Sequence, residues 1–117
     1  MMLQEIGGYF GLHVEKGEEY HQSCNRYHLA RYAIVDYVKY LNYERVYVPY
    51  YTCNTLTGCL KANDIEVHGF HINTKLLPDT LTESILPNSL LIVNNYFGVL
   101  DKKITKFLLE NTELNII

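Results

Sequence analysis

The chain has 117 residues, 48% of them hydrophobic and 20% charged, enough for one folded domain and too apolar for a disordered segment. Ten basic and 13 acidic residues give a formal charge of −3 with no basic block, which argues against a nucleic-acid partner. No run approaches the roughly 20 apolar residues that span a bilayer, and no N-terminal stretch reads as a signal peptide, so a cytoplasmic protein with no membrane partner is expected.

Residues 1–24 form the first unit. Gly7, Gly8, Gly11 and Gly17 fall there without a sustained hydrophobic period, which reads as a glycine-containing loop segment. Residues 25–117 form the second. Between 26 and 41, Leu29, Ala30, Ala33, Ile34, Tyr37, Val38 and Leu41 recur at helical spacing, and Asn25 is the candidate N-cap.

Residues 45–48 read as a strand ended by Pro49, followed by a helix over 52–61 with Leu56, Cys59 and Leu60 on its apolar face. Residues 65–72 alternate imperfectly around Gly69, which predicts a strand with a bulge or bend. A helical turn over 80–86, a strand over 90–93, a helix over 102–111 with Ile104, Phe107 and Leu108 inward, and a buried strand beginning at Leu114 complete the series. Short continuous apolar strands alternating with helices predict an α/β domain with a mostly parallel sheet, whose ligand would sit where the strands end.

Three segments carry candidate chemistry. Tyr50-Tyr51-Thr52-Cys53-Asn54-Thr55 puts hydroxyls, aromatic faces and helical N–H groups after a strand, where an anion is favoured; in the plain alternative Thr52 caps the helix and the tyrosines pack. Arg26, Ser23 and the first helical N–H groups could meet a phosphate at the long helix; the turn lacks glycine, which favours the plain alternative of Asn25 as a cap and Arg26 as a solvated charge. Asn94-Asn95-Tyr96-Phe97-Gly98 follows a buried strand and reads equally as a site wall or a fixed turn.

The remaining polar residues are less informative. His68 and His71 fall on opposite faces of a strand, so no metal is expected there, and Cys53 and Cys59 read as small buried residues rather than nucleophiles. Nine of the 11 tyrosines lie between Tyr20 and Tyr51, but a base-stacking surface would need an electropositive groove that the composition does not offer.

Glu5-Ile6-Gly7-Gly8-Tyr9-Phe10, Arg31-Tyr32-Ala33-Ile34, Val48-Pro49-Tyr50-Tyr51-Thr52-Cys53 and Asn94-Asn95-Tyr96-Phe97-Gly98, in this order, resemble the N-terminal part of DegT/StrS-type aminotransferases. The resemblance implies part of the large domain of a PLP-dependent transferase fold, pyridoxal 5′-phosphate as cofactor, and a homodimer with shared active sites. It also implies amino transfer from glutamate to a keto sugar nucleotide, for cell-surface polysaccharide or antibiotic sugars.

Carried over residue by residue, Asn25, Arg26 and Tyr27 match the phosphate-binding turn, Thr52 and Cys53 the ring wall, and Asn95 and Tyr96 the substrate side. Arg26 stands where the family prefers glycine and Cys53 where an aromatic often stacks, which leaves Tyr51 as the available ring. In the family the Schiff-base lysine and the acid that holds the pyridine nitrogen follow the region matched here. The expectation is a fragment that does not transaminate alone and is completed by a C-terminal chain. The alternative is a non-catalytic α/β module that binds a partner chain through its sheet edge.

Overall fold

The computed structural model describes residues 17–18, 20–79 and 85–117. The motif at residues 5–10 and most of the helical turn expected over 80–86 lie outside them. The elements run α1 (Ala30–Tyr40), β1 (Arg45–Pro49), α2 (Asn54–Lys61), β2 (Glu66–Phe70), β3 (Ser89–Leu91), a 3₁₀ turn (Tyr96–Gly98) and α3 (Asp101–Glu110).

The strands form an open sheet in the order β2-β1-β3, parallel throughout, which is the α/β arrangement expected from the alternation of elements. Val46 stands opposite Val67 and Leu90, and Tyr47 opposite His68 and Leu91. Residues 115–117 extend the sheet beyond β3 through a parallel bridge between Leu91 and Ile116, with the Ile117 N–H donating to the Leu91 carbonyl at 3.0 Å. The expected buried strand here is a single bridge whose last residue, Ile117, is exposed.

Period-two alternation sorts the strand residues into two cores. On one face Val46, Val48, Leu90 and Ile92 pack with Val35 and Val38 of α1 and Leu60 of α2. On the other, Tyr47, Phe70 and Leu91 pack with Phe107 of α3, Leu114 and Ile116. Full burial of a side chain such as Leu60 contributes about 1.5–3 kcal/mol. No residue of α3 is fully buried, and Leu108, expected inward, is exposed.

Three further sequence expectations are corrected. Asn25 does not cap α1: the N-cap is Leu29, with extended backbone and no side-chain cap bond, and the first turn begins four residues later than the periodicity suggested. Of the stripe read from the spacing, Val38 is buried, together with Val35, whereas Tyr37 and Leu41 are exposed. Gly69 is not a bulge. The β1–β2 register runs unbroken from Arg45↔Glu66 to Pro49↔Phe70, and the missing side chain makes room for the Tyr50 ring instead.

Candidate functional site

Because all three strands are parallel, the segments that leave β1, β2 and β3 emerge along one sheet edge. The Tyr50 N–H continues the ladder by donating to the Phe70 carbonyl at 2.8 Å. Beyond it the chain turns through Tyr51 and Thr52 to Cys53, the N-cap of α2. From β3, Asn94 and Asn95 lead into the 3₁₀ turn, which places Tyr96 against Tyr51.

The Tyr96 hydroxyl donates to the Tyr51 carbonyl at 2.7 Å, and the two ring centroids are 5.4 Å apart. Burial raises the Tyr96 pKa and the neighbouring Tyr51 adds to the rise, while a hydrogen bond with Asn94 opposes it. The turn that delivers Tyr96 is fixed by Asn95: its side-chain oxygen accepts the Leu100 N–H at 3.0 Å, and its amide donates to Asp101 at 2.5 Å. Both ends of the Asn95 amide are therefore engaged within the turn.

Cys53 is exposed, not buried as its composition class suggested. Its Sγ lies 3.1 Å from the Thr55 hydroxyl. Hydrogen bonding by the Thr55 side chain, then by its backbone, lowers the thiol pKa against a small opposing effect of burial, and the positive charge of Arg31 from α1 adds to the lowering. No acidic residue occupies the first turn of α2 and no side chain caps it, so its leading N–H groups point a positive dipole end toward the same edge.

The sequence did not single out the groove beside this edge. Val48, Val67 and Gly69 floor it, Tyr50 and Thr52 close one end, and Asn54, Thr57 and Lys61 of α2 form the wall, around a volume of about 350 Å³. Its signal was present in Gly69, which lacks the side chain that would collide with Tyr50. His71 lies against the Tyr50 ring at 4.7 Å, whereas His68 stacks on Tyr47 at 5.0 Å, so the two histidines serve different faces. Among the described residues no group of three or more His, Cys, Asp or Glu is placed to hold a metal.

Asn25 and Tyr27 do not join Tyr51, Thr52 and Cys53 through any hydrogen bond or ring contact. They fold back on α1, where the Tyr27 hydroxyl donates to the Asp36 carboxylate and both residues line a groove with Asp36, Tyr37 and Tyr40. Asp36 sets a negative charge against this groove, while Arg26 carries the positive charge of the same turn. Along the edge at α2 lie the Tyr51 ring, the Thr52 hydroxyl and the uncapped helix start, with the Arg31 charge acting on Cys53. Among the described residues no helix is long and apolar enough to cross a membrane. Compared with protein-family models, curated proteins and solved structures, the chain finds no match.

Proposed function

We propose that residues 25–117 correspond to the opening part of the large domain of a DegT/StrS-type aminotransferase, where they supply one wall of a site for PLP and a keto sugar nucleotide. The observation that carries this reading is the union of Tyr51 and Tyr96 beside the uncapped start of α2, which sets an aromatic face next to a positive helix end. In such enzymes PLP is the electron sink for the substrate carbon. On this chain Tyr51 and Thr52 would orient the ring, the α2 N–H groups and Arg31 would hold the phosphate, and Tyr96 would fix Tyr51 through its carbonyl. The lysines here match no Schiff-base motif, so the chain binds without transaminating and requires a homodimer partner or a complementary C-terminal chain.

Titration with pyridoxamine 5′-phosphate, which cannot form a Schiff base with lysine, tests this through tyrosine fluorescence. The reading expects saturable quenching that Tyr51→Ala and Arg31→Ala weaken. Quenching that is unsaturable, or unchanged in both variants, contradicts it. Stoichiometric borohydride trapping of PLP on one lysine contradicts the non-catalytic part.

A second reading, a partner-binding module, is favoured by the open sheet. Ile117 is exposed beside β3, and α3 carries exposed Leu108 and Leu109 with no fully buried residue. A discrete dimer whose size does not change with concentration supports this reading; polydisperse association opposes it.

A further inference from the structure

The groove on the outer side of α1 has a chemistry of its own. Ala33, Asp36, Tyr37 and Tyr40 follow one another at helical spacing on one stripe, and the preceding turn lays Asn25 and Tyr27 beside it. The groove is open, with every lining residue but Ala33 exposed, and its volume is about 320 Å³, at the small end of ligand pockets. Three phenol rings and one carboxylate line it, and no lysine or arginine does. Asp36 accepts the Tyr27 hydroxyl through Oδ2, and among the described residues it has no ion-pair partner.

Aromatic faces are negative at their centres and attract cations, and best so when the cation is weakly hydrated. An ordinary ammonium would lose strong hydration in a half-open groove of this kind, whereas a quaternary ammonium has little to lose and covers ring faces on several sides. The carboxylate supplies the counter-charge. An anion is disfavoured by the same group, and a neutral ligand gains nothing from its charge.

We propose that this groove binds a small organic quaternary ammonium cation of the choline type, held by Tyr27, Tyr37 and Tyr40 with Asp36 as counter-ion. The volume favours a free small molecule over a peptide segment. The site is independent of the carboxyl-edge reading: it shares no residue with Tyr51, Thr52, Cys53 or Tyr96, so either can fail alone.

The test is titration of the full chain with choline and with its neutral tert-butyl analogue, followed by NMR at the tyrosine rings. Choline is expected to shift Tyr27, Tyr37 and Tyr40 saturably in the millimolar range, and the neutral analogue to bind at least about fivefold more weakly. Asp36→Asn and the exposed Tyr40→Ala are each expected to weaken choline by about three- to tenfold, with the fold intact by circular dichroism. Equal affinity for choline and its neutral analogue, or shifts that never saturate, overturns the proposal. Tighter binding of a trimethyl-lysine peptide than of choline overturns the small-molecule assignment.

Discussion

The ring of Tyr50 lies over Gly69 so closely that a β-carbon at Gly69 would stand 2.2 Å from Tyr50 Cε1. Val48 pairs with Gly69 across the parallel ladder, and Tyr50, two residues on, projects to the same face and folds back over it. The ring so placed touches His71 and closes one end of the groove beside α2.

Gly69→Ala is therefore expected to swing the Tyr50 ring outward. Because Tyr50 is largely exposed, the ring can move cheaply, and alanine also removes the entropic cost of glycine in a strand, so stability should change by less than about 1 kcal/mol. The Tyr50–His71 contact should disappear from NOE spectra. Its persistence in the variant would show that the ring does not depend on the missing side chain.

Tyr96→Phe removes the hydroxyl that bonds the Tyr51 carbonyl and leaves the rings in place. The expected loss is about 0.5–1.5 kcal/mol in denaturant unfolding, with no change in the slope against denaturant. The variant should also weaken pyridoxamine 5′-phosphate binding. An unchanged affinity with the expected loss of stability would make the bond purely structural.

On the outer strand, Glu66 is held by His68 Nε2 at 2.6 Å and by Arg45 Nε at 3.3 Å, and Arg45 also donates to the Pro87 carbonyl at 2.9 Å. The hydrogen bond with His68, followed by that with Arg45, lowers the Glu66 pKa below its ordinary value of 4.5. A carboxyl with a lower pKa folded than unfolded stabilises the fold above the unfolded value, and that contribution is lost as pH falls through the folded value. Acid unfolding of Glu66→Gln should accordingly be less steep below pH 4.5 than that of the parent, and the difference should shrink in high salt because the group is exposed. Identical acid profiles would contradict this linkage.

Cys53 should be alkylated with a pH midpoint below the ordinary thiol value of 9.0, measured in a Cys24→Ser, Cys59→Ser background that leaves it as the one thiol. Thr55→Val should move the midpoint upward because the largest stabiliser of the thiolate is removed. Arg31→Gln should do so to a smaller extent. A midpoint that ignores Thr55 would assign the reactivity to the helix end alone.

What the sequence disclosed depended on whether burial or a specific side-chain partner decides the local structure. β1 and α2 were legible because Val46 and Val48 form an uninterrupted apolar run and Leu56, Cys59 and Leu60 keep helical spacing, so pattern and packing agree. The start of α1 was not, since Asn25 has the residue type of a cap while Tyr27, bound to Asp36, draws that turn back along the helix. Gly69 carries no pattern that separates a bulge from a place where a ring lies close, and only the register resolves it.

At the candidate site, the sequence brought forward Tyr51, Thr52, Cys53 and Tyr96, which the fold gathers along one edge. Arg31 was missed as a source of positive charge there, because its sequence position on α1 does not reveal that its field reaches Cys53 at the start of α2. The exposure of Cys53 was missed for a related reason: the N-cap lies outside the helical pattern that buries Leu60 and partly buries Leu56 and Cys59.

The most direct measurement is residue-resolved NMR of the full chain during titration with pyridoxamine 5′-phosphate, with inorganic phosphate as a parallel titrant. The account predicts saturable shifts at residues 51–55 and at Tyr96 with the cofactor form, a subset limited to the α2 amides with phosphate, and none at Asn25 or Tyr27. Shifts centred on residues 25–27, or none at the Tyr51–Tyr96 edge, would contradict it.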